Sequence, residues 1–247
     1  MVPGLRSAAA AMEAQGERLA VLANNLANVT TGGFKADHLE FFQSLSSPRA
    51  VGPVSPTGPA APLLAPPVAQ TRTDFSPGSL RQTGNPLDMA IDGPGFFVVR
   101  AAGGVRLTRA GSFTLSSDGS LIAPDGAAVL NAGRQPITLP DRGAIEIDNT
   151  GRVLVDGAEV GQVLVVDPPR GQLTKDGGTR FAAPPEVPLT PAPNARVTQG
   201  FVEGSNVNAV LTMIEMIDAL RVYESAQRAA RSQDETLSRA VNDVGRA

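Results

Sequence analysis

PGLRSAAAAMEAQGERLAVLANNLANVTTGG, residues 3–33, decides the architecture of this chain. Leu5, Met12, Leu19 and Leu26 recur every seven residues, and Ala8, Leu22 and Val29 follow three positions behind. Gln15 is the one polar residue at those positions. An apolar repeat held over about four heptads predicts a helix with a coiled-coil-like seam. Pro3 suits the first turn, where its missing N–H costs nothing, and Gly32-Gly33 stops the helix, so it is expected over 3–31. Ala9, Ala10, Ala11, Ala14, Ala20, Ala23 and Ala27 line the other faces and let helices approach closely on more than one side. Asn24, Asn25 and Asn28 crowd the helix end. Their amides suit loose carbonyls there, or fix the loop Thr30–Lys35 against the helix.

The other end of the chain repeats the pattern. Met216, Tyr223, Ala230, Leu237 and Val244 recur every seven residues, and Val210, Met213, Ile214, Ile217 and Leu220 widen the apolar face of the first turns. A second helix is expected over 206–245, with Ser205, Asn206 or Asn208 accepting its first free N–H groups. An antiparallel pair of the two helices with residue numbers summing to 249 sets Leu5 with Val244, Met12 with Leu237, Leu19 with Ala230, and Leu26 with Tyr223. Both stripes have little to bury without neighbouring copies, which favours self-assembly over a finished monomer.

Between the helices the composition changes twice. Seven prolines fall within residues 46–70, and a second cluster runs from Pro184 to Pro193. Such segments favour extended chain and build no core. From 71 to 181 short apolar runs alternate with turns: Met89–Ile91, Phe96–Val99, Ser112–Leu115, Ala144–Ile147, Arg152–Val155 and Gln162–Val166. The turns are Asp92-Gly93, Gly103-Gly104, Asp118-Gly119, Asp125-Gly126, Asp156-Gly157 and Asp176-Gly177, which suit antiparallel hairpins. The expected fold is α+β: long terminal helices forming a coiled-coil-like pair around a central all-β domain. Its boundaries are 1–35 (helix), 36–70 (linker), 71–181 (β domain), 182–205 (linker) and 206–247 (helix).

Composition narrows the function. The 247 residues carry 21 Lys and Arg against 24 Asp and Glu, a net charge of −3. That balance lacks the basic face a nucleic-acid binder needs. There is no cysteine and a single histidine, His38, in the charged stretch Lys35–Glu40. These counts remove thiol nucleophiles, disulfides and Cys/His metal sites. Asp118, Asp125, Asp148, Asp156 and Asp176 stand singly beside turn residues, as hairpin formers rather than a calcium loop. Paired carboxylates such as Glu146 and Asp148 have no aromatic sugar platform beside them. No cofactor, metal, small-molecule substrate or catalytic set is expected. No apolar run reaches the ~20 residues of a membrane span, and residues 1–11 lack the pattern of a cleaved signal peptide.

Four blocks carry a family resemblance. ANNLANVTTGGFK (23–35) resembles the N-terminal signature of bacterial flagellar rod and hook proteins. GSLRQTGNPLDMAIDGPGFF (78–97), LTRAGSF (107–113) and GFVEGSNVN (200–208), the last running into MIEMIDALRVYE (213–224), resemble the same family in order. The signature positions are Asn24, Asn25, Leu26, Asn28, Gly33 and Phe34, with Gly204, Ser205, Asn206 and Val207. The resemblance implies a non-enzymatic axial subunit, exported by the flagellar type III apparatus without a cleaved signal peptide. It would polymerise with itself and other rod subunits into the basal-body rod that crosses the periplasm. Leu5, Met12, Leu19, Leu22, Leu26, Val29, Met213, Met216, Leu220, Tyr223, Leu237 and Val244 are then the candidate assembly interface. Short length, Glu203–Val207 and the Asp234-Glu235 pair favour the proximal-rod branch over the distal-rod and hook branches. The alternative of another class is a periplasmic glycan-binding β module.

Overall fold

A computed structural model describes residues 3–42, 68–140 and 143–244, leaving aside the side chains of 3–7, 41–42, 68–69, 237 and 240–244. Most of the first proline-rich segment therefore lies outside the described residues, as do the side chains of Leu5, Leu237 and Val244. Helix α1 spans Pro3–Ala27 and α2 spans Ala209–Val244. At 1.5 Å per residue they are about 37 and 54 Å long. The chain divides into two compact units, Met1–Asn24 with Asp37–Arg72 and Leu211–Ala247, and Asn25–Ala36 with Thr73–Val210.

Both helices are shorter than the sequence predicts. The first stops at Ala27 rather than 31, because Asn28 N–H bonds Asn25 O and Val29 N–H bonds Leu26 O, tightening the chain into turns. Asn28 Oδ1 then accepts the Thr31 hydroxyl at 3.1 Å, so this amide fixes the loop. The second begins at Ala209 rather than 206. Asn208 Oδ1 takes the Val210 N–H at 3.1 Å, which makes Asn208 the capping residue.

In the first unit, burial follows the heptads. On α1, Ala8 and Leu22 are buried, and Met12, Gln15 and Leu19 are half-buried. On α2, Thr212 and Ala219 are buried, and Met216, Tyr223, Ala226, Ala230 and Gln233 are half-buried. The same unit holds a two-stranded sheet of Asp37–Phe42 with Val68–Thr73, where the sequence predicts only linker.

The second unit is β-rich. Its largest sheet is centred on strand Phe96–Ala101, which pairs with Gly104–Thr108, Ala128–Val129 and Val165–Val166. That strand is buried on both faces, which explains a continuous apolar run in place of alternation. Phe97 and Val99 face one core with Met89, Phe113, Leu121, Val129 and Val153, while Phe96 and Val98 face a second with Leu107, Leu130, Val166 and Phe181. The few aromatic side chains are concentrated there: Phe75, Phe96 and Phe181 form a triangle with centroids 5.1–5.7 Å apart.

Hairpin chemistry behaves as the turn dipeptides predict, with one exception. Asp156-Gly157 closes a two-residue turn between Arg152–Val155 and Ala158–Gln162, with φ of 50° and 80°. Asp118, Asp125 and Asp148 spend their carboxylates on neighbouring N–H and O–H groups of their own turns. Asp92-Gly93 closes no hairpin: strand Met89–Asp92 pairs with Arg196–Gln199 instead. Residues 182–205 are likewise more than linker. They hold Arg196–Gln199 and Phe201–Glu203, and the latter pairs with Leu80–Gln82. The β unit thus runs past 181 to about the start of α2, because the strand partners lie over a hundred residues apart and no local pattern marks them.

The Asp148 turn carries a pH expectation. Its carboxylate accepts from Thr150 N and Oγ1 and from Arg152 N and Nε at 2.7–2.9 Å. Burial works to raise its pKa, but these hydrogen bonds outweigh it and hold the carboxyl well below the usual aspartate range. The turn's stabilisation is therefore complete above the ordinary aspartate value of 3.8 and lost as pH falls through the depressed folded value. A carboxyl-carbon NMR titration should find Asp148 ionised after exposed aspartates have protonated; titration alongside them would refute this.

Candidate functional site

Three charged side chains, one from each of three sequence blocks, meet inside the β unit. Lys35 follows the loop after α1, Arg109 sits just beyond strand Gly104–Thr108, and Glu203 ends strand Phe201–Glu203. Their side chains are 1%, 5% and 1% exposed. Glu203 Oε1 accepts from Lys35 Nζ at 2.5 Å and from Gly78 N at 2.9 Å, and Oε2 accepts from Arg109 Nη1 at 3.2 Å. Two cations share one carboxylate, and backbone carbonyls accept further bonds from both. Lys35 Nζ donates to Ser76 O at 2.7 Å; Arg109 donates to Ile91 O at 3.2 Å and Gly93 O at 2.7 Å. The guanidinium also lies 5.5 Å from the Phe96 ring centre.

Electrostatics explain why the cluster holds together. Burial pushes the Lys35 and Arg109 pKa values down, and Glu203 opposes this through hydrogen bond and charge. An ion pair out of water survives only when its other donors and acceptors are also satisfied. Here backbone groups of two further segments, Ser76 O with Gly78 N and Ile91 O with Gly93 O, supply such partners. The cluster therefore fixes five pieces of chain to one another rather than presenting a charge to a ligand.

Backbone contacts extend the junction. Gly33 N donates to Glu203 O, Gly204 N to Ser79 O, and Met89 N to Gly111 O, each at 2.8 Å. Asn206, read from sequence as a possible cap, is a tie instead. Its Oδ1 accepts from Ala36 N at 2.7 Å, and its Nδ2 donates to Asp74 O at 2.9 Å. Lys175 lies 4.0 Å from the Phe34 ring centre and donates to Lys35 O at 2.8 Å. Two glycines permit this density. At Gly33 (φ 70°) a Cβ would sit 2.2 Å from Ala110 N, and at Gly111 one would sit 1.6 Å from Met89 O.

The signature positions converge on this junction unevenly. Asn25, Gly33 and Phe34 are buried; Leu26, Asn28, Gly204, Ser205, Asn206 and Val207 are half-buried; Asn24 is exposed. The candidate assembly residues lie elsewhere. Leu22 is buried, Met12, Leu19, Val29, Met216 and Tyr223 are half-buried, and Met213 and Leu220 are exposed. Lys35 and Arg109 went unread as site residues, although each stands within a signature block. A lone charge in each of three blocks, two basic and one acidic, was the available signal.

The buried charges of this junction tie chain segments to one another, which is a structural role. Family models agree: residues 5–35 match "Flagella basal body rod protein", 90–155 match "Flagellar hook protein FlgE/F/G D1 domain", and 198–243 match "Flagellar basal body rod FlgEFG protein C-terminal". The chain is 32% identical to the flagellar basal-body rod protein FlgF of Caulobacter vibrioides, with 92% of each chain covered. It is equally identical to FlgF of Rhizobium meliloti, with 99% of each chain covered. It is 33% identical to the rod protein FlgG of Agrobacterium fabrum, over 95% of this chain and 96% of that one. The chain belongs to the flagellar basal-body rod protein family, as a structural subunit of the rod.

Proposed function

We propose that this subunit polymerises through its terminal helices, without enzymatic activity, in the proximal part of the rod. The observation that carries the reading is an exposed apolar face on α2. Val210, Met213, Ile214, Ile217 and Leu220 recur at three- and four-residue spacing, share one side of the helix, and are 44–66% exposed. A face of that size on a chain with few aromatic residues suits burial against further copies and other rod subunits. Export through the flagellar type III apparatus agrees with an apolar helix face that is covered only on assembly.

An Ile214→Glu plus Ile217→Glu variant tests the reading. Neither side chain is needed to bury the β unit, so the purified variant should keep the wild-type unfolding midpoint. In a strain lacking the native gene it should restore no external hook or filament, whereas the wild-type chain restores both. Full motility with the double variant would overturn assembly through this face. The glycan-binding alternative expects saturable binding of peptidoglycan fragments by the full chain, and the rod reading expects none.

A further inference from the structure

We propose that Gln15 and Gln233 meet in one polar layer between α1 and α2, and that this layer sets the register of the two helices. Gln15 is the one polar residue at the heptad positions of α1 between Ala8 and Leu22, and Gln233 lies toward the far end of the α2 stripe. The side-chain oxygen of each is shielded from solvent and accepts no hydrogen bond among the described residues. Few buried polar atoms in folded proteins are left so, and each needs a cause.

Antiparallel geometry supplies one. A register that sets Met12 opposite Leu237 and Leu19 opposite Ala230 has residue numbers summing to 249. The intervening layers then sum to 248, which sets Leu22 opposite Ala226 and Gln15 opposite Gln233. The two amides come together with an offset of one residue from the sum of 249, which the pair Leu22 and Ala226 shares. An amide is both donor and acceptor, so half a turn of one terminal amide lets its Nε2 donate to the oxygen of the other.

The layer has a reason to exist. The stripe of α2 carries Ala219, Ala226 and Ala230, so a slip by one heptad would bury much the same apolar surface. Such a slip sets Gln15 against Ala226 and Gln233 against Ala8, and strands both amides in apolar surroundings. A single polar layer specifies register at a cost in stability, in the way of a buried polar residue in a coiled coil. This inference goes beyond the assembly reading, because it concerns pairing within one chain.

Cysteine cross-linking of the purified full-length chain tests it, since the native sequence has no cysteine. Disulfides require Cα atoms within about 7 Å. Met12→Cys with Leu237→Cys should cross-link within one chain, and Met12→Cys with Ala230→Cys, the slipped pair, at least ~10-fold more slowly, the ratio for a register preference near 1.4 kcal/mol. Adding Gln15→Leu and Gln233→Leu together should bring the two rates within about threefold, a residual preference of roughly RT ln 3. Gln15→Leu alone should lower the in-register rate more than the double change does, because it leaves Gln233 stranded. If the double-leucine chain still cross-links only in register, the polar layer does not set it. If the parent pair at 12 and 237 fails to cross-link at all, the antiparallel pairing itself is wrong.

Discussion

Glu203→Ala is expected to destabilise the β unit by ~3–5 kcal/mol, the cost of leaving buried charges without their counter-ion. Lys35 and Arg109 would both lose the carboxylate they hydrogen-bond, and Gly78 N its acceptor. Urea unfolding of the full chain measures the loss, and a change below about 1 kcal/mol, the range of an exposed pair, would refute the account. Replacing both Lys35 and Glu203 by apolar residues (Lys35→Met with Glu203→Leu) should cost less than Glu203→Ala alone. Arg109 would then keep its bonds to Ile91 O and Gly93 O, and one buried cation rather than two would lack a carboxylate. The variant should also respond to alkali. Burial already holds the Lys35 pKa below its ordinary 10.5, and loss of Glu203 removes the opposing influence. Between the lowered folded value and 10.5 the unfolded chain binds more protons, so stability rises with pH through that window. The deficit of Glu203→Ala relative to wild type should therefore shrink toward pH 10.

Gly111→Ala should be comparably severe for a steric reason. The added Cβ would lie 1.6 Å from Met89 O and 2.8 Å from Met89 C, both backbone atoms of strand Met89–Asp92. Met89 is fully buried and its N–H donates to Gly111 O, so neither partner moves without unpairing the other. Overpacking of this kind costs about 3 kcal/mol or more when backbone must yield. Gly171→Ala is the control, since nothing lies within 4 Å of its added methyl and its φ is not positive. The contrast should show as a large drop in unfolding midpoint for Gly111→Ala and almost none for Gly171→Ala. Equal behaviour would mean that the close approach is dispensable.

Local chemistry was legible in the chain, and distant pairing was not. The heptads of Met12, Leu19 and Leu22, and of Met216, Tyr223 and Ala230, identify both helices and the sides they bury, because side-chain direction repeats with the helix period. Asp156-Gly157 identifies its hairpin, because few residues tolerate positive φ at two successive positions. Ends were read less well: Asn28 and Asn208 choose between several local hydrogen bonds, and the winner depends on what the neighbouring chain offers. The strands Arg196–Gln199 and Phe201–Glu203 were missed because they are short, sit beside a proline cluster, and find partners at Met89–Asp92 and Leu80–Gln82.

The junction shows the same division. The signature blocks were visible as blocks, and they placed the chain among flagellar rod proteins. Nothing in their spacing says that Lys35 and Arg109 share the buried carboxylate of Glu203. By itself the sequence determined what each segment becomes, since helix, turn and strand follow from periods and torsions a few residues long. Tertiary structure alone decided which segments touch: charge pairing across 94 and 168 residues depends on the folded path of the backbone, and a buried ion pair exists only where that path excludes water and supplies every remaining hydrogen bond.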